Sequence, residues 1–85
     1  MRTMENMKPD VVYRVTKGNT DGCVEVGDIL VLDSENGSLN IFVTGGGWLD
    51  KDELTPEIMD FEAEEATDYE YFKDRWRIGV RKKHD

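Results

Sequence analysis

One histidine and one cysteine are the only residues of this 85-residue chain suited to nucleophilic chemistry near neutral pH, and neither is placed for it. A catalytic serine or cysteine needs a base held beside it and a third group orienting that base. His84 stands one residue from the end of the sequence, where nothing would fix its ring. Cys23, between Gly22 and Val24, reads as a small, partly buried residue at the start of a strand. Two Cys/His residues cannot make the four-ligand set of a zinc site. The run Asp33-Ser34-Glu35-Asn36-Gly37 brings its glycine one place too early for a calcium loop, so a hairpin is the simpler reading. Asp50, Asp52 and Glu53 would hold at most a weak surface cation, and clustered acids are more often a solvated face. Gly45-Gly46-Gly47 lacks the lysine and helix of a phosphate-binding loop and serves as a hinge. Paired carboxylates for glycoside hydrolysis need a cleft that a chain of this size scarcely builds. The reading is therefore non-enzymatic, with no cofactor and no metal.

Charge is the more informative property. Nineteen acids face eleven bases, for a net charge of −8. Residues 50–74 carry eleven acids and two bases, net −9, whereas residues 75–85 carry five bases and one acid, net +4. Such a balance argues against direct nucleic-acid binding, which leaves a basic footprint. No apolar run approaches the roughly 20 residues that cross a bilayer, and no leader-like segment opens the sequence. A lone thiol fits a reducing compartment, so a cytoplasmic location is expected.

The elements that must position these charges are short strands. Val11, Tyr13 and Val15 alternate with Val12, Arg14 and Thr16 in a first strand over residues 10–16. Ile29-Leu30-Val31-Leu32 forms the next, bounded by Gly27 and by the turn cluster 33–38. Asn36-Gly37 predicts a type I′ hairpin turn, in which both central residues take positive φ. Leu39 to Thr44 returns, with Leu39, Ile41 and Val43 on one face and Asn40, Phe42 and Thr44 on the other. After the glycine hinge come Trp48-Leu49 and a polar turn from which Leu54 plugs one end of the core. Glu57 to Phe61 is expected as another strand. Glu62 to Asp74 is expected as a loop or short helical turn, since its alanines and glutamates favour helix. Arg75 to Lys83 alternates again, with Gly79 a candidate bulge. Met1 to Pro9 frays.

Five to six short strands with little helix give a mainly β domain. Gly27-Asp28 before an apolar strand, a hairpin, then Gly-Trp48-Leu49 and Glu53-Leu54-Thr55-Pro56 resemble the small SH3-like barrels carried by bacterial viruses and prophages. The resemblance implies a barrel over residues 10–62, closed through a 3₁₀ turn, after a flexible segment 1–9 and before an extension 63–85. It implies a phage or prophage origin and brings no catalytic residues.

Two surfaces are candidates for binding. The acids Asp50, Asp52, Glu53, Glu62, Glu64, Glu65, Asp68 and Glu70 form a belt that would occupy the basic nucleic-acid channel of a host protein in a bacterial cytoplasm. The aromatics Tyr69, Tyr71, Phe72 and Trp76 stand beside it as interface anchors. The expected function is a non-enzymatic inhibitor that mimics nucleic-acid charge, as a monomer or homodimer, with no membrane partner. The bland alternatives are that the acids confer solubility and the aromatics cover an open end of the fold. A second functional reading is an adaptor, binding a peptide through Tyr13, Trp48 and Pro56 or assembling with itself through residues 75–83, although core packing is the simpler role for Trp48.

Overall fold

The computed structural model describes residues 7–42, 47–75 and 77–83. Its elements are β1 (Val12–Lys17), β2 (Ile29–Leu32), β3 (Leu39–Ile41), β4 (Trp48–Leu49), a 3₁₀ turn (Lys51–Glu53), β5 (Glu62–Glu65), β6 (Tyr69–Lys73) and β7 (Ile78–Lys82). The mainly β class is as expected, with seven strands among the described residues where five or six were expected. Five of them make one antiparallel sheet in the order β4-β3-β2-β1-β5, and β6 and β7 make a second sheet of two. No closed barrel is present among the described residues.

Both faces of the larger sheet are covered, which explains why β2 is apolar throughout rather than alternating. Pairing sets Tyr13 beside Leu30 and Val12 beside Val31, so each residue type repeats across a face. One face gathers Tyr13, Val15, Leu30, Leu39, Ile41 and Ala63 with Phe61, Val24 and Met7, and Leu54 closes on it from behind the 3₁₀ turn. The other gathers Val12, Ile29, Val31 and Ala66. The β6–β7 hairpin lies over this second face through Tyr69, Tyr71 and Val80. Ion pairs pin it near both ends of β6: Arg14 to Asp68 at 2.9 Å, and Lys73 to Asp33 at 3.3 Å and to Glu35 at 2.8 Å.

The outer side of the hairpin is built around a glycine. A Cβ at Gly79 would stand 2.8 Å from Phe72 Cζ, so the absent side chain gives the ring its place. The guanidinium groups of Arg77 and Arg81 flank that ring at 5.2 and 5.3 Å. The pairing of β6 with β7 runs through Gly79 without interruption. The expected bulge is therefore replaced by a ring packed on a flat strand.

Other local expectations are corrected. The 33–38 turn is longer than a type I′ turn, and Gly37 alone in it has positive φ, 74°. Asp33 builds it: its Oδ1 accepts N–H bonds from Glu35 at 2.7 Å and Asn36 at 3.4 Å, and its carbonyl accepts from Gly37 at 3.0 Å. An aspartate side chain that satisfies the amides two and three residues on stabilises a wider loop than the tightest hairpin requires. Residues 57–61 form no strand, and residues 56–59 turn instead. Met59 donates to the Thr55 carbonyl at 2.9 Å, with Thr55 as a cap and Pro56 in the first-turn position that suits its fixed φ. Residues 62–74, expected as loop or helical turn, contain β5 and β6. Pairing with β1 and β7 outweighs the helix preference of Glu and Ala there. The larger sheet thus continues past residue 62 to Glu65. Cys23 is exposed rather than partly buried. Val43, Thr44 and the glycines 45 and 46 lie outside the described residues, as do residues 1–6.

Candidate functional site

The acidic residues divide into two groups by what they touch. Asp68 holds Arg14, whose guanidinium also lies 5.7 Å from the Tyr69 ring centroid. Its hydrogen bond from Arg14 holds the Asp68 carboxyl below its usual range. Glu70 holds Arg81 at 2.6 Å across the hairpin. These two carboxylates are engaged within the fold. The eight acids from Asp50 to Glu65, with Lys51 the one base among them, make no ion pair among the described residues. All are exposed except the half-buried Glu62.

Their positions follow from the topology. Asp50, Asp52 and Glu53 stand on and before the 3₁₀ turn, where Glu53 Oε1 accepts the Asp50 N–H at 3.3 Å. Glu57 and Asp60 lie on the crossing from the β4 edge of the sheet to the β5 edge, and Thr20 donates to Asp60 at 2.8 Å. Glu62, Glu64 and Glu65 occupy β5, an edge strand paired with β1. Glu64 lies opposite Arg14 in register, yet Arg14 turns to Asp68.

The aromatic set is mostly inward. Tyr69 and Tyr71 pack on the apolar cluster of Val12, Ile29 and Val31. Tyr71 also meets the Phe42 ring at 6.5 Å, and its hydroxyl is buried without a hydrogen-bond partner. Burial, with the nearby Asp33 charge adding to it, pushes the Tyr71 phenol up. Phe72 faces outward between two arginines. Trp76 lies outside the described residues. Tyr13 is fully buried, its hydroxyl accepting the Lys8 N–H at 2.9 Å, so it cannot join Trp48 and Pro56 in a peptide groove.

A surface that the sequence did not reveal lies where the hairpin turn overhangs the β3–β4 edge. Trp48, expected in the core, is 67% exposed. It forms one wall of a groove of about 580 Å³, with Phe42 and Ile78 as apolar lining and Asn40 in the wall. Arg75 and Arg77 reach the same groove. Asn40 pairs with Trp48 across β3 and β4, which puts both on the sheet face that the hairpin only partly covers.

No cluster of three or more potential metal ligands occurs among the described residues. No helix among them is long and apolar enough to cross a membrane. Comparison with known proteins finds no matching family model, curated protein or solved structure.

Proposed function

We propose that this is a non-enzymatic protein that binds a host protein through its acidic surface, occupying a basic nucleic-acid channel as a mimic of phosphate charge. The observation that carries the reading is the eight acids of residues 50–65, without ion pairs among the described residues, while the neighbouring bases pair with Asp33, Glu35, Asp68, Glu70 and Asp74. Unneutralised like charge opposes the compact state, and it also steers a cationic partner over long range. The reading includes inhibition of the bound protein and a place in a bacterial cytoplasm. It also includes a phage or prophage origin with an SH3-like ancestry. That ancestry is supported by the 3₁₀ turn at Lys51–Glu53 and by β5 returning beside β1.

The working residues are Asp50, Asp52, Glu53, Glu62, Glu64 and Glu65, with Glu57 and Asp60 extending the same field. Asp52, Glu57 and Glu65 suit a test because no hydrogen bond or ion pair among the described residues depends on their side chains. The immobilised protein is expected to retain a nucleic-acid-handling protein from bacterial lysate at low salt and to release it to excess duplex DNA. The triple variant Asp52→Lys, Glu57→Lys, Glu65→Lys is expected to lose it. Retention of the same protein by the triple variant would reject the charge-mimic reading.

A second reading has its own observation. β5 and β7 are both edge strands, the first bearing Glu62, Glu64 and Glu65 and the second Arg81 and Lys82. Opposite charge on two edges favours strand-to-strand assembly between copies. Sedimentation at millimolar protein would show concentration-dependent mass if copies associate, and a constant monomer mass would dismiss the idea.

A further inference from the structure

The groove at the hairpin turn has a chemistry opposite to that of the rest of the chain. Three bases, Lys73, Arg75 and Arg77, and one acid, Asp74, line it, on a molecule whose net charge is −8. Lys73 is spent on Asp33 and Glu35. The Asp74 carboxylate accepts the Arg77 backbone N–H at 2.9 Å and lies 3.9 Å from the Arg77 guanidinium. Arg75 makes no ion pair among the described residues, which leaves its guanidinium, and most of that of Arg77, for an outside anion.

One further feature points to the shape of that anion. Trp48 offers a flat indole that is two-thirds exposed, with Ile78, itself 44% exposed, also lining the groove. In a protein this small a tryptophan is usually drawn into the core, so its exposure beside cationic groups marks a stacking surface.

We propose that this groove binds a free nucleoside monophosphate, its base stacked on Trp48 and its phosphate held by Arg75 and Arg77. Planar bases stack on tryptophan irrespective of sequence, guanidinium groups match phosphate oxygens, and the groove volume lies in the range of small-molecule sites. The occupant is a mononucleotide rather than a strand. A polyphosphate leaving the groove would run onto a surface of net negative charge, where it gains no counterion release. This binding is independent of the acidic surface and of its partner.

Isothermal titration of the whole protein with AMP, GMP, CMP and UMP at low salt tests the proposal. At least one is expected to bind saturably, with the matching nucleoside and inorganic phosphate each weaker by about tenfold or more, because stacking and charge each contribute. Trp48→Ala and Arg75→Glu, both at exposed side chains, are each expected to weaken binding by about tenfold with an unchanged melting temperature. The proposal is overturned if none of the four binds, or if neither substitution matters. Tighter binding of an oligothymidylate strand than of any mononucleotide would overturn the assignment of a free nucleotide.

Discussion

Asp33 shows how one residue joins the two layers of this fold. Its side chain, 3% exposed, closes the β2–β3 loop through two backbone amides and receives Lys73 from the hairpin. Burial alone would raise its pKa, but the Glu35 and Asn36 amides and the Lys73 ammonium outweigh it and hold the carboxyl below its usual range. A lowered folded-state pKa gives stabilisation that is whole above the unfolded value of about 3.9 and is lost as pH falls through the folded value. Asp33→Asn is expected to cost about 1–3 kcal/mol at neutral pH, from the lost charge-assisted bonds. Denaturant midpoints of the two proteins should begin to converge only below about pH 4 and meet once pH is below the lowered folded value, where the wild type has lost the same contribution. An equal difference at all pH values would show that Asp33 acts by packing alone. Lys73 carries the complementary shift, raised chiefly by Glu35, so its contribution fades only in strong alkali. None of this was legible in the sequence. The 33–38 cluster announced a turn, and its asparagine and glycine pointed to the wrong one, because the aspartate supplies the acceptors that widen it.

At the scale of elements, the strands with apolar alternation were legible and the charged ones were not. Residues 12–17 and 29–32 reveal themselves because both are buried and β-branched. Glu62-Ala63-Glu64-Glu65 reads as helix until its partner is known, since three of its four side chains face water and only Ala63 enters the core. Tyr69 to Lys73 hides its alternation among charges, although Tyr69 and Tyr71 share one face and Glu70 and Phe72 the other. The exposed Trp48 was likewise unreadable: only the extent of the hairpin, set by tertiary pairing, decides which part of the sheet stays open. A division at residue 62 follows from reading the charged strands as an appendage. The β6–β7 hairpin instead covers Val12, Ile29, Val31 and Ala66. A chain ending at Thr67 would leave that face in water, where apolar burial of roughly 25 cal/mol per Å² is forfeited. Such a truncation is expected to give aggregated or non-cooperatively melting material by size-exclusion chromatography and circular dichroism. A soluble, cooperatively melting monomer would show that the larger sheet stands alone.

For the whole molecule, the imbalance of charge bears on stability and is the premise of the proposed recognition. The ion pairs are mostly exposed, and such pairs stabilise by about 0–1 kcal/mol each. The unpaired acids of residues 50–65 repel one another at distances where salt screens well, the Debye length being about 8 Å at physiological ionic strength. Repulsion should win, so the melting temperature is expected to rise as sodium chloride goes from about 0.02 to 0.3 M. A fall would mean that the ion pairs dominate. By the same reasoning the triple variant Asp52→Lys, Glu57→Lys, Glu65→Lys should melt no lower than the wild type, so its loss of binding cannot be blamed on unfolding. The sequence disclosed this imbalance in full. It did not disclose that Asp68 and Glu70 are taken up by arginines, which confines the available charge to the segment before them.

The measurement that tests this account most directly is the association rate of the protein with its captured host partner across a series of salt concentrations. If the acidic surface acts as a charge mimic, the rate should fall by at least about tenfold between 0.05 and 0.3 M salt, and the triple variant should associate slowly at every concentration. A rate indifferent to salt and to the three substitutions would contradict the account and move recognition away from residues 50–65.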